Sequence, residues 1–306
     1  MPSRITQQIT TSQLAVQMQK HSLSLQRQYR NISTGIEITK PSDDISKYNM
    51  ILYHNSQITH LLSMNESIST ITKTLDYITS SLQDINAIIS RASQIASVGI
   101  DSTSDQSTYQ ALGVEVDDMI HNLLDIFNRK INDDYIFGGA SISIQPFIVS
   151  SYDTNGRING INYVASSNNT YAIIDNNNIP IYYSGNSIEQ TSGTSLFQTI
   201  IELRNSLSTN SPQRLSLLKT AMQNLESIHD HISSIIGSIS SRLASLRSYS
   251  EQSDRLLYQH QVSKTELEST DYANAIVKMN ESQYLLQSTM ALMSRYFSYS
   301  ILDYIV

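Results

Sequence analysis

Asp43 and Asp44, with Ser42 and Pro41 before them and Gly35 upstream, lie in the stretch ISTGIEITKPSDDISKY, the densest group of acidic and turn residues in the first hundred positions. Two carboxylates beside a hydroxyl could hold a divalent cation or act as an acid–base pair. Neighbouring side chains on a helix do not converge, however. Ser42 suits a helix N-cap instead, with both carboxylates in the first turn, where the helix dipole favours negative charge. Gly35 and Pro41 then end the preceding helix and shape the connector. Residues 35–46 are therefore read as a joint between two helices.

The other groups with chemical potential fare similarly. Asp133 and Asp134 could ligate calcium, but no EF-hand spacing follows them. A turn leading out of a helix into Gly138 and Gly139 is expected there. His229 and His231 are two apart and point to different faces of a helix; His54 and His60 are six apart and form no ligand pair on one helix. No two of the ten glycines are two positions apart, which rules out the dinucleotide fingerprint GxGxxG, and the nucleophile elbow GxSxG is absent too, since Gly156 and Gly160 enclose Ile158 rather than a serine. GxxxxGK and HExxH are absent as well. The reading has no catalytic residue, no cofactor and no metal site.

Composition narrows the classes further. The 306 residues carry a formal charge of −7, no cysteine and no tryptophan, with a pI near 5.4 and a mean hydropathy of −0.24. An acidic surface does not displace counterions from nucleic acid, so no nucleic-acid partner is expected. Without cysteine there are no disulfides, thiolate metal sites or thiol nucleophiles. The first twenty residues lack the apolar core of a secretory signal, and no apolar run approaches the roughly 18 residues of a membrane span. No membrane insertion is expected. The chain is read as cytosolic or as exported without a cleaved signal.

The elements that would position these residues are long helices. Leu61, Met64, Ile68, Ile71, Leu75, Ile78, Leu82, Ile85, Ile89, Ala92 and Ala96 alternate in steps of three and four, the heptad pattern. A second run joins Tyr109, Leu112, Val116, Met119, Leu123 and Ile126; a third joins Leu218, Met222, Leu225, His229, Ile232, Ile236, Ile239, Leu243 and Leu246. Ile71, Leu75, Ile78, Leu82, Met119, Leu123, Ile232, Ile236 and Ile239 are the expected core of a bundle. The chain ends carry the same code. Leu14, Met18, His21, Leu25 and Ile32 form a weak N-terminal seam, and Tyr272, Ile276, Met279, Gln283, Leu286, Met290, Met293 and Phe297 a stronger C-terminal one. These terminal seams are expected to serve assembly.

Between about 140 and 195 the pattern changes to Tyr and Ile runs punctuated by Asn-Gly, Asn-Asn and Gly, which signal hairpins. The fold class is therefore mainly α: a long antiparallel helical bundle or coiled coil formed by both chain ends, with a small β-rich insert. Residues 1–34 and 265–306 form the terminal assembly domain, 35–145 and 196–264 the helical rod, and 146–195 an insert expected to pack on itself.

Three segments together resemble one family. ISTGIEITKPSDD is similar to the inner signature of bacterial flagellins and flagellin-like junction proteins. NRKINDDYIFGGASISIQPF resembles the motif closing the second helix of the hook-associated protein 3 group. The tail from Ser269 to Val306 looks like that group's terminal helix, and after Asp44 the chain departs from the usual pattern with Ile45-Ser46-Lys47. The resemblance implies an extracellular structural protein at the hook–filament junction, exported by the flagellar type III apparatus. Its implied partners are further copies of itself in a helical array, hook-associated protein 1, flagellin and a flagellar export chaperone. The alternatives are a minor flagellin, a cytosolic coiled-coil adaptor and an enzyme whose site lies in the insert.

Overall fold

The computed structural model describes residues 2–100, 105–174, 177–191, 193–208 and 213–305. Helices α1 (Pro2–Thr34), α2 (Ile45–Ile100) and α3 (Gln106–Phe127) are followed by short strands β1 (Lys130–Ile131) and β2 (Asp134–Tyr135). Hairpins β3 (Phe147–Tyr152)–β4 (Ile158–Tyr163) and β5 (Thr170–Ile174)–β6 (Asn177–Tyr182) come next, then α4 (Gly185–Glu189), β7 (Gln190–Thr191) and β8 (Thr194–Ser195). Helices α5 (Leu196–Ser208), α6 (Arg214–Glu268) and α7 (Tyr272–Ile305) complete the chain. Proline occurs at 2, 41, 146, 180 and 212, and no described helix holds one beyond its first residue. The helices can therefore run long, because nothing in them removes a backbone donor. The chain divides into two units, residues 1–62 with 255–306 and residues 63–254.

The larger unit, 63–254, is built on one core. Ile71, Leu75, Ile78, Leu82, Ile85, Ile89, Ala92 and Ala96 of α2 are all buried, as are Tyr109, Val116, Met119, Leu123 and Ile126 of α3. These follow the expected steps. Asp105 opens α3 by accepting a bond from the Gln106 N–H at 2.8 Å, and Gly99 sits where α2 meets Leu207 and Leu218. A Cβ at Gly99 would lie 3.0 Å from a Leu218 methyl. On α6 the inward positions are Leu218, Ala221, Leu225, Ile228, Ile232, Ile239, Leu243 and Leu246. Met222 and His229, expected in the seam, are exposed and half-buried respectively, while Ala221 and Ile228 point inward in their place. A step of three and a step of four are equally compatible with a heptad, and the larger apolar side chain of Ile228 takes the buried side. Ile236 is half-buried against the core rather than inside it. Asn65 Nδ2 donates to Asp254 at 2.7 Å, and Asn86 Nδ2 to Ser233 Oγ at 3.2 Å; these two pairs set the register of α2 against α6.

The insert is strand-rich, as expected. β3 pairs antiparallel with β4, Phe147 opposite Tyr163 and Val149 opposite Ile161. The turn between them is held by Asp153, whose Oδ1 accepts from the N–H groups of Asn155 and Arg157 at 2.8 and 2.9 Å. Gly156 there has φ +79°, a conformation that favours glycine. β5 pairs antiparallel with β6, Ala172 opposite Ile179. Among the described residues each sheet has two strands, and a lone hairpin is marginal in water, so each must lean on something else. Phe147, Ile158, Ile174, Ile179, Tyr183 and Ile188 all belong to the same buried cluster as the α2, α3 and α6 seams. The expectation of an insert packed on itself is thus corrected: its apolar side chains complete the helical core.

The smaller unit holds α1, α7, the start of α2 and the end of α6. Its interior is thinner and more polar. Facing positions of α7 are Ala275, Ser282 and Thr289, buried, with Met279, Leu286 and Met293 half-buried; α1 contributes Leu14, Met18, His21, Leu25 and Ile32, half-buried except where Asn31 closes the seam. Ser24 and Ser282 share a hydroxyl hydrogen bond at 2.9 Å. Small residues allow two helices to approach closely but bury little apolar surface. Each Ser or Ala in place of Leu forgoes on the order of 1.5–3 kcal/mol of burial.

Candidate functional site: the connector and the terminal helix pair

Gly35 ends α1 with φ +72°, and its N–H returns to the Asn31 carbonyl at 2.8 Å. This is a left-handed helix stop of the kind glycine permits. The chain then runs antiparallel to the segment between α6 and α7: Ile36 bridges Ser269. Glu37 N–H donates to Glu268 O at 2.7 Å, and Thr270 N–H to Gly35 O at 2.9 Å. Residues from the two halves of the sequence thus form a two-stranded splice at one connector.

The acidic pair splits into two structural tasks. Asp43 Oδ2 accepts from the Thr39 N–H, the Thr39 hydroxyl and the Lys40 N–H at 3.2, 3.3 and 3.3 Å, and Oδ1 pairs with Arg27 of α1. Desolvation acts to raise its pKa, but the Thr39 hydrogen bonds and the Arg27 charge outweigh it and hold the carboxyl below its ordinary value. Asp44 is the cap of α2: its Oδ1 accepts from Lys47 N–H at 3.0 Å. Ser42, expected as the cap, lies exposed in the turn beside Pro41. The cap falls two residues later because Asp43 is committed to closing the turn back on Thr39. Asp271 caps α7 in the same way, accepting from Asn274 N–H at 3.1 Å.

The C-terminal seam divides between two directions. Met279, Leu286 and Met293 lie along the α1-facing side, while Ile276 and Met290 are exposed. Phe297 falls among side chains outside the described ones. Around the pair, further large apolar groups stand in solvent at heptad spacing: Ile9, Val16 and Leu23 on α1, and Val277 and Tyr284 on α7. Leu23 is 58% exposed, Val277 64% and Tyr284 70%. Seven-residue spacing puts each set on one face of its helix.

The second glycine motif is a latch in the larger unit. Gly139, at φ +60°, would place a Cβ 2.3 Å from the Ser166 carbonyl, and Gly138 one 2.7 Å from that of Ser141. Gly138 bridges Ser184, and Gly185 N–H donates to Phe137 O at 2.8 Å. Asp133 sits in the turn ahead of it and Asp134 opens β2. Around this latch Phe127, Phe137, Phe147 and Phe197 stack at centroid distances of 4.9–5.5 Å. Among the described residues no group of three or more His, Asp or Glu converges, and no described helix is long and apolar enough to cross a membrane.

Two buried ionisable groups of the larger unit escaped the sequence reading. Arg204 of α5 is fully buried; its Nη1 donates to Asp117 Oδ1 and to the Ile158 carbonyl, both at 2.6 Å. Glu189 is buried as well, and its Oε1 accepts from the Ser195 hydroxyl and from Phe197 N–H. Burial raises the Glu189 pKa, against the lowering effect of those bonds. Nothing in the spacing marks either residue: Arg204 lies on α5, which is buried on several sides and shows no clean polar face, and Glu189 ends α4, whose five residues are too few for a helical period to show.

No family model matches the sequence, and no curated protein matches it. Solved structures do. A chain described as a flagellar hook-associated protein of Vibrio parahaemolyticus superposes with a TM-score of 0.66 at 13% identity, over 73% of this chain and 99% of that one. Hook-associated protein 3 of Legionella pneumophila gives 0.60 at 13% identity, over 71% and 98%. FlgL of Bacillus cereus gives 0.54 at 17% identity, over 72% and 99%. At such identities the likeness lies in the backbone: this chain has the fold of the flagellar hook-associated proteins.

Proposed function

We propose that this chain is a non-catalytic structural subunit of the bacterial flagellum, placed at the junction between hook and filament. Its subunits form a helical array, bounded by hook-associated protein 1 on one side and flagellin on the other. It reaches that place through the flagellar type III channel, with an export chaperone holding its C-terminal segment beforehand. The terminal helix pair is the assembly domain, residues 35–46 its connector, and the core of the larger unit a stable spacer.

The observation that carries this reading is the terminal pair itself. The side chains fully buried in its inner seam are small or polar (Ala275, Ser282, Thr289 and Asn31), larger ones such as Leu25, Met279 and Leu286 are only half-buried there, and further large apolar side chains face outward at heptad spacing. A pair built this way gains little from closing on itself and much from neighbours. Contacts between unlike faces of successive subunits generate helical arrays, and the shared fold with hook-associated proteins supports the same use.

Deleting the gene tests the assignment. Loss of the junction leaves flagellin synthesised but shed into the medium, with hooks lacking filaments. A minor flagellin would instead leave filaments missing one subunit type, and a cytosolic adaptor would never appear in sheared filament fractions. Labelled electron micrographs of isolated junctions place the protein directly; label along the filament or none at the hook tip overturns the proposal.

A further inference from the structure

His54 of α2 and His260 of α6 bring their Nδ1 atoms to 2.9 Å, though 206 residues separate them in sequence. Both lie in the smaller unit and both are half-buried. Their ring centroids are 5.1 Å apart at an interplanar angle of 56°. Tyr53 flanks both rings edge-on, with centroids at 5.5 and 6.1 Å. A neutral imidazole carries one N–H and one lone pair, so the contact is Nδ1–H to Nδ1, one ring donating and the other accepting.

The same separation has a second meaning. Two nitrogens each bound at about 2.0–2.1 Å to one ion lie about 2.9 Å apart at the right angle of an octahedral or square site and about 3.3 Å apart at the tetrahedral angle zinc favours, so the pair needs to open by a few tenths of an ångström at most. Imidazole suits Zn²⁺, Ni²⁺ and Cu²⁺, while Mg²⁺ and Ca²⁺ prefer oxygen.

We propose that His54 and His260 form a two-histidine site for a divalent transition-metal ion, which clips α2 to α6 in the smaller unit. When the ion binds, the donor ring moves its proton from Nδ1 to Nε2, and both Nδ1 lone pairs turn to the metal. With both rings neutral no net proton is released. Water completes the coordination shell, because no group of three or more acidic or histidine side chains converges among the described residues. The affinity is accordingly that of an exchangeable site. The chain has no cysteine, so no thiolate competes for the ion, and a clip here supplies the cross-link that a disulfide provides elsewhere. The inference stands independently of the flagellar assignment.

Thermal melts of the full chain with Zn²⁺, Ni²⁺ or Mg²⁺ in millimolar excess test it, since an ion that binds only the folded state raises Tm. Wild type should gain several degrees with Zn²⁺ and Ni²⁺ and none with Mg²⁺, with one ion per chain by calorimetry. His54→Gln and His260→Gln should each abolish the gain, and His60→Gln, an exposed neighbour, should keep it. Imidazole nitrogen resonances of the wild-type pair should move on Zn²⁺ addition, a readout that needs no variant to fold. Absence of any wild-type gain, an undiminished gain in His54→Gln or His260→Gln, or unmoved imidazole resonances overturns the site.

Discussion

Thr270 donates its hydroxyl to the Asn31 carbonyl at 3.2 Å, joining positions 239 residues apart in the chain. Its own N–H meets the Gly35 carbonyl one turn away. The last turn of α1 and the segment before α7 are therefore one structure, and the smaller unit cannot form from either chain end alone.

Gly35 is the residue that makes this splice possible, and its replacement should weaken it. Gly35→Ala forces an L side chain to φ +72° and sets its Cβ 2.9 Å from the Tyr272 hydroxyl. The left-handed backbone should cost about 1–2 kcal/mol. Gly35→Asn should cost less, because Asn tolerates that region better than Ala. Denaturant unfolding ranks the three proteins; equal midpoints would show that the connector does not limit stability.

Arg204 is the buried charge whose removal should be felt most. Arg204→Met strands Asp117 and the Ile158 carbonyl together, and should cost about 3–5 kcal/mol. Adding Asp117→Leu should restore part of that loss, because the orphaned carboxylate goes with it. A double-mutant cycle by chemical denaturation reads the coupling; additive losses would mean the two groups act separately.

Much of the helical frame was legible because burial and periodicity agree. From Ile68 to Ala96 the α2 seam is followed without a slip, since one face meets the core throughout. Legibility fails where a side chain's task is set by a distant partner. Ser42 and Asp44 are both good caps, and only the closure of Asp43 onto Thr39 and Arg27 decides between them. Met222 and Ala221 both satisfy a heptad step, and the shape of the facing seam decides. The insert reads as independent because its strands alternate in the ordinary way. Nothing local says that Phe147 will pack on Phe127, 20 positions earlier in sequence order, rather than within its own hairpin.

That packing makes a direct prediction for the insert. Phe147 touches Phe127, Phe197 and Tyr163 with centroids at 4.9, 5.3 and 5.1 Å. Phe147→Ala should cost about 3–5 kcal/mol. Replacing residues 148–190 with a short linker should lower the helical melting temperature, because Ile158, Ile174, Ile179 and Ile188 leave the core with it. An unchanged helical melt in both proteins would restore the picture of a self-contained insert.

Asp43 and Glu189 should respond to pH in opposite senses. The Asp43 pKa is lowered from its ordinary 3.8, so its contribution is complete above that value and is lost as pH falls through the lower folded-state pKa. The stability gap between wild type and Asp43→Asn should therefore close in strong acid. The Glu189 pKa is raised from 4.5, so the folded chain binds its proton first as pH falls, and stability rises between the folded-state pKa and 4.5. Relative to wild type, Glu189→Gln should flatten that rise. Melts across the acid range separate the two; parallel curves for either variant would remove its residue from the account.

The outward faces of the terminal helices give the sharpest separation between folding and assembly. Leu23 and Tyr284 stand largely in solvent, so Leu23→Ser and Tyr284→Ser remove little that the single chain buries. Surface changes of that kind usually alter stability by no more than about 0.5 kcal/mol, and the melting temperature of the purified chain should hardly move. Leu286→Ser, on the α1-facing side, should lower it, since a half-buried leucine gives up part of the roughly 1.5–3 kcal/mol of full burial. If neighbouring subunits cover the outer face, Leu23→Ser and Tyr284→Ser should abolish rescue of motility in a deletion strain despite normal folding and export. Full motility with the doubly substituted chain would show that the outer heptad face is not where subunits meet, and the assembly role of α1 and α7 would fall with it.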